Sequence, residues 1–308
     1  NKWVLNVTSI PLFFLWTQLT IASLLFVISD TLRILPDRLT FDLETCKGLV
    51  PMVGLNVLGL SFSNYTLKYV DASFYQVARG LVLPFTVFTS FIVLHSRPSL
   101  RILLTCGVVT LGFFIGVFLD GTPISLVGVF FGVASSAITA THSVVIKQSL
   151  NVVNGSALAL SWYTNLLSAI VLLPLLVLVG EGPDVELLVK AGAMSPLRTF
   201  LWGSLITGIL GFMMSFASLL SIKVTSPITH MVSSAVRGVL SSVLGMWIFH
   251  DVITGGRASS IATILFGSLM YTWVKHQESQ PASNSSSSKD AYDRLKMDVE
   301  SMAESNPR

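Results

Sequence analysis

Val224-Thr225-Ser226-Pro227-Ile228-Thr229-His230-Met231-Val232-Ser233-Ser234-Ala235-Val236-Arg237-Gly238 opens an apolar segment that runs to Phe249. Wound as a helix, it sets His230, Ser234, Arg237 and Ser241 at i, i+4, i+7 and i+11, a single polar stripe on an apolar rod. A guanidinium near the middle of a membrane-spanning rod costs about 2.5–3.5 kcal/mol on insertion scales, so it must face a cavity, an acidic partner or an anionic ligand.

The rest of the chain supplies the membrane setting. Of 308 residues 52% are hydrophobic and 11% charged, under half the charge of an ordinary soluble domain. Apolar runs long enough to cross a bilayer recur at Pro11–Ser29, Leu49–Leu67, Tyr75–Leu94, Ile102–Leu119, Ile124–Val145, Ala157–Val179, Phe200–Ser221, Ile228–Phe249 and Ser259–Val274. These nine runs predict an all-α polytopic membrane protein. The net charge of +3 is spread over loops and points to no nucleic-acid partner. The basic loops holding Arg33, Arg38, Lys47, Arg97 and Arg101 are read as cytosolic, which places the C-terminus on the same side. From residue 277 to 308 the apolar pattern stops, and Ser285–Ser288 followed by mixed charge reads as a disordered cytosolic tail. Cys46 and Cys106 have no metal-ligand spacing and read as packing residues; no cofactor or metal is called for. The acidic loop with Glu181, Asp184 and Glu186 reads as a solvated connection.

Two stretches of the chain resemble each other. Ser73-Phe74-Tyr75-Gln76-Val77-Ala78-Arg79-Gly80 overlays Met231-Val232-Ser233-Ser234-Ala235-Val236-Arg237-Gly238 so that both Arg-Gly pairs coincide. This is the weak similarity between halves that inverted-repeat transporters show. An arginine in such a place either snorkels, pairs with a carboxylate or binds substrate. Acidic residues are essentially absent from the span interiors, so Arg79 and Arg237 are read as a phosphate- or diphosphate-binding pair. Tyr75, Ser233 and Ser234 accompany them at helical spacing, and His230 shares the Arg237 stripe. Two further polar faces run through Ser135, Thr139 and His142, and through Ser161, Asn165 and Ser168 beside Tyr163. They are either interhelical contacts or ligand contacts. The amide of Asn165 can pair with a nucleobase edge and the Tyr163 ring can stack on one. Gly112/Gly116, Gly128/Gly132 and the trio Gly203, Gly208 and Gly211 read as close helix packing.

Phe74-Tyr75-x-Val77-x-Arg79, Thr105-Cys106-Gly107 with Gly112-Phe113-x-x-Gly116, Gly132-Val133-Ala134-Ser135, Tyr163-x-Asn165, Leu173-Pro174-Leu175-Leu176 through Gly180-Glu181, Thr225-Ser226-Pro227-x-Thr229-His230-x-Val232-Ser233 and Tyr271-Thr272-Trp273-Val274 together resemble the GDP-fucose transporters. These belong to the nucleotide-sugar and triose-phosphate translocator branch of the drug/metabolite transporter superfamily. The resemblance implies ten transmembrane helices in two inverted repeats, here about 1–119 and 123–276, within a transporter domain over 1–276. Asn1-Lys2 resembles the end of the family's first helix, so most of that helix is expected to be missing. It also implies antiport, not enzymatic chemistry: a GDP-sugar enters the Golgi lumen, or the endoplasmic reticulum as the alternative, against GMP. A homodimer is compatible with it. The family's guanine-reading Phe-Tyr-Asn-Asn corresponds to Trp162-Tyr163-Thr164-Asn165, with threonine replacing one amide. Its Gly-x-x-Lys corresponds to Ser234-Ala235-Val236-Arg237, which keeps the charge and loses the glycine. The same arginines also resemble the phosphate-holding residues of triose-phosphate translocators, the alternative cargo.

Overall fold

The structure is a computed structural model that describes residues 1–8, 10–95, 97–119, 125–190, 194–224, 238, 240, 241, 243, 244, 246–248 and 254–279. The expected tail beyond 279 and most of the expected span at Ile228–Phe249 lie outside these residues. The described elements are all helices: α1 (Lys2–Val7), α2 (Pro11–Thr31), α3 (Leu43–Tyr69), α4 (Ala72–Gly80), α5 (Val82–Leu94), α6 (Leu100–Phe118), α7 (Leu126–Val152), α8 (Ala157–Val179), α9 (Gly182–Lys190), α10 (Met194–Val224) and α11 (Gly255–Ser279). Seven stretches among them are long and apolar enough to cross a membrane.

Local chemistry sets the ends. Asp42, Ser99, Ser125 and Ser156 each accept a first-turn N–H and cap α3, α6, α7 and α8, and Gly180 closes α8 in the left-handed conformation at φ 78°. The long helices carry exposed apolar side chains as well as buried ones. In α2, Leu12, Leu15 and Phe26 are buried while Leu24, Val27 and Ile28 stay exposed, as expected where the outer face meets lipid.

The bundle is assembled from long helix pairs: α3 lies along α7, α6 along α11, and α2 between α8 and α10. One core joins α2, α3 and α8 through Phe26, Leu49, Met52, Val57, Trp162 and Leu172; a second joins α4, α6 and α11 through Phe74, Val77, Val109, Phe113 and Ile264. The α6–α11 seam needs small residues. A Cβ at Gly116 would sit 2.6 Å from Ser260 Oγ and 2.8 Å from Val77 Cγ1, and Ser260 Oγ donates to the carbonyl of Gly112 at 2.6 Å. Gly211 differs from the packing reading of its trio, because a Cβ there meets no described atom within 4 Å.

Two features refine the sequence expectations. The apolar run at Tyr75–Leu94 falls in one candidate span, Ala72–Val93, but the span is interrupted at Leu81: α4 ends at Gly80 and α5 starts at Val82. Pro84 explains the break: it has no N–H for the Gly80 carbonyl, and its ring crowds that carbonyl. The acidic loop is not simply solvated. Asp184 and Glu186 are exposed on α9, and Glu186 pairs with Lys190, but Glu181 is buried at 5% exposure. Its Oε1 accepts from Leu12 N–H at 3.0 Å and its Oε2 from Phe13 N–H at 2.8 Å, so it caps α2 from across the bundle.

Candidate functional site

The break between α4 and α5, at Leu81, falls two residues after Arg79, so the guanidinium leaves the last turn of a nine-residue half-helix. That end of a helix favours a cation, because its unpaired carbonyls carry partial negative charge. One of them is already claimed: the carbonyl of Ala78 accepts from Leu81 N–H at 3.1 Å and from Ser136 Oγ of α7 at 2.8 Å. Arg79 is exposed and makes no hydrogen bond or ion pair among the described residues.

It faces a cavity of about 210 Å³. From α4, Tyr75 and Arg79 line it one turn apart. α7 supplies Ser135, Ser136, Thr139 and His142, the polar face anticipated from spacing. The Nε2 of His142 is buried and has no hydrogen-bond partner among the described residues. α2 and α3 supply Gln18, Asn56, Ser63 and Asn64, with Asn1 beside them. Their amides are linked: Gln18 Nε2 donates to Asn1 Oδ1 at 3.2 Å, and Asn1 Nδ2 donates to Asn64 Oδ1 at 3.2 Å. Asn56 Nδ2 donates to Ser168 Oγ of α8 at 2.9 Å. The chamber thus offers one cation, neutral donors and acceptors, and no carboxylate among its described lining residues. That lining suits an anion with a polar neutral part.

The other sequence-derived site residues are not gathered there. Tyr163 is 2% exposed; its phenol oxygen accepts from Asp42 N–H at 2.9 Å, and the Phe41 ring stacks against it at 6.3 Å. Asn165 donates to the carbonyl of Ser161 at 2.8 Å. Neither lines this cavity. Arg237, His230, Ser233 and Ser234 lie outside the described residues. Gly238, which follows Arg237, is described and adjoins α4: a Cβ there would be 3.9 Å from Gln76 Oε1.

The amides of α2 and α3 were missed by sequence reasoning. Their signal was available in α3, where Asn56, Leu60, Ser63, Asn64 and Leu67 recur at i, i+4, i+7, i+8 and i+11. Outside the cavity, the loop carboxylate Glu181 also has a shifted titration. Burial pushes it above the ordinary glutamate value, while the Leu12 and Phe13 N–H groups, Lys68 and Tyr65 pull it back.

Residues 1–272 match the Triose-phosphate Transporter family. The chain is 32% identical over 292 residues to the Golgi GDP-fucose transporter of Drosophila melanogaster, covering 90% of this chain and 85% of that one. It is 32% identical over 302 residues to GDP-fucose transporter 1 of Mus musculus, covering 94% and 82%. Similarity to an uncharacterized transporter of Schizosaccharomyces pombe is 30% over 283 residues, covering 92% and 72%.

Proposed function

The chain belongs to the Triose-phosphate Transporter family, and from that premise we propose that it is a Golgi antiporter that brings a GDP-sugar, GDP-fucose first, into the lumen against GMP. It is a polytopic helical membrane transporter and not an enzyme. The observation that carries the cargo class is Arg79, a cation at a broken span that faces a polar chamber without a carboxylate among its described lining residues. Discontinuous helices in transporters put half-helix ends at the substrate, near the middle of the membrane. Guanidinium forks bind phosphate oxygens bidentately, which suits the diphosphate of a nucleotide sugar and the monophosphate of its exchange partner alike.

In this reading Arg79 and Arg237 hold the phosphates, with Tyr75, His230, Ser233 and Ser234 around them. The α2 and α3 amides with His142 and Thr139 meet the hydroxyl-rich part of the cargo. Tyr163 and Asn165 are assigned to the base. Their use requires that the Phe41 ring and Asp42 N–H leave Tyr163 when the nucleotide enters. An empty site carries uncompensated positive charge, so reorientation without an anion is unfavourable and exchange becomes obligatory. The Drosophila melanogaster and Mus musculus proteins similar to this chain are both named GDP-fucose transporters, which supports the same cargo.

The test is uptake of labelled GDP-fucose into proteoliposomes loaded with GMP, compared with vesicles loaded with UMP, CMP or phosphate. Uptake that depends on internal GMP supports the proposal. Uptake of triose phosphate driven by internal phosphate, with no GDP-fucose movement, would transfer the assignment to sugar phosphates.

A further inference from the structure

Arg257 sits in the first turn of α11, where the positive end of the helix dipole opposes a cation, and it is only 2% exposed. Asp71 is the N-cap of α4, yet its carboxylate makes no capping hydrogen bond to its own helix. Both side chains break a local rule and meet each other. Arg257 Nη1 lies 3.4 Å from Asp71 Oδ2 and donates to the buried Ser73 Oγ at 2.8 Å. Sequences depart from local consistency mainly where function demands it.

The place of this contact gives it a role. α4 spans about 13 Å, from Asp71 and Ser73 at one end to Arg79 and the Pro84-induced break at the other. Its far end is the one-residue interruption before α5, and its near end is pinned to α11, which the small-residue seam fixes to α6. Tyr75 and Arg79 lie one and two turns from the pin, on the same half-helix.

We infer that the Arg257–Asp71–Ser73 contact is a clasp that holds the Arg79 half-helix against the α6–α11 pair and closes the cavity at the end of the bundle where α3 turns into α4. Opening at that end parts the clasp and swings α4 about the Gly80–Leu81 break, which moves Arg79 and Tyr75 with it. Arg257 and Asp71 are thus positioning residues that couple access to the site with its geometry. The inference rests on the transporter reading in one respect only, that the cavity opens to the two sides in turn.

A cavity cysteine reads this directly. With Cys46 and Cys106 replaced by alanine, Ser63→Cys is reacted in liposomes of known insertion direction with a membrane-impermeant maleimide, applied to one side at a time. Asp71→Ala is the deciding variant, because the half-exposed Asp71 side chain can be removed while Arg257 keeps Ser73. Labelling from the α3–α4 side should rise severalfold in Asp71→Ala and in Arg257→Gln, and stay near the parent rate in Arg257→Lys. Melting temperature is recorded for each variant. Unchanged labelling from that side in folded Asp71→Ala overturns the clasp, and so does an equal rise from both sides, which marks general loosening. Because labelling needs no substrate, a failure of GDP-fucose uptake leaves this result readable.

Discussion

Arg79→Gln should make the empty protein more stable while it weakens binding, and that pairing of opposite signs follows from the lack of a counter-ion among the described residues. An intramembrane guanidinium costs at most about 2.5–3.5 kcal/mol on insertion scales, and contact with cavity water leaves on the order of 1 kcal/mol of that. Neutralising it should therefore raise the melting temperature by about 2–4 °C, taking about 2–4 °C per kcal/mol for large domains. In the loaded state the same group would make charge-assisted hydrogen bonds worth about 1.5–3 kcal/mol, so affinity for GMP should fall about 10–150-fold. Arg79→Lys, which keeps the charge and loses the planar fork, should fall between. Arg257→Gln serves as the control. It removes the guanidinium bond to the Ser73 hydroxyl and the partner of a half-exposed Asp71, at a cost of about 1–3 kcal/mol. Thermal melting of purified protein with and without GMP reads both quantities in one experiment. Arg79→Gln should melt higher than the parent without ligand and lose the ligand-induced rise. If it melts as far below the parent as Arg257→Gln and keeps the GMP-induced rise, Arg79 is a structural cation and the site assignment fails.

Glu181 should give the protein a stability term that depends on pH. Its folded pKa lies above the ordinary value of 4.5, so the folded state holds the proton more tightly; the resulting stabilisation is full below 4.5 and is lost as pH rises through the folded pKa. Melting curves taken through this acid window should show that slope in the parent and not in Glu181→Gln, and equal slopes would contradict the burial argument. Gly116→Val should cost about 1–3 kcal/mol by overpacking, since its Cβ would press on Ser260 and Val77; an unchanged melting temperature would mean that the α6–α11 seam is looser than described. Pro84→Ala restores the N–H that could join α4 to α5. Transport should slow while the melting temperature holds or rises, and full transport activity in a stable Pro84→Ala protein would show that the break is dispensable.

The sequence carried the membrane class, because apolar runs of bilayer length need no partner to be recognised. It also carried the polar face of α7, which is a matter of spacing along one helix. What it missed depends on approach between distant segments. Nothing near Glu181 in the chain announces that its carboxylate ends at Leu12 and Phe13, and nothing near Arg257 points to Asp71. The broken span was legible in principle from Gly80 and Pro84, but a hydropathy window averages over both. Tyr163 shows the same limit: its residue type suits a nucleobase, and nothing along α8 announces that Phe41 and Asp42 pack on it.

The cap on α2 also constrains the order in which the protein can be made. The first-turn N–H groups of Leu12 and Phe13 receive their acceptor from a residue 169 and 168 positions downstream. During synthesis, at about 5–20 residues per second, α2 leaves the ribosome many seconds before Glu181 does. Over that interval the start of α2 is an open helix end that must remain near headgroups or be shielded by the insertion machinery, because bare backbone donors are costly in hydrocarbon. The final seating of α2 is therefore a late event that waits for α8 to cross. A chain interrupted between α7 and α8 would hold its early helices without the contact that fixes them, and membrane quality control could recognise it by that exposed end.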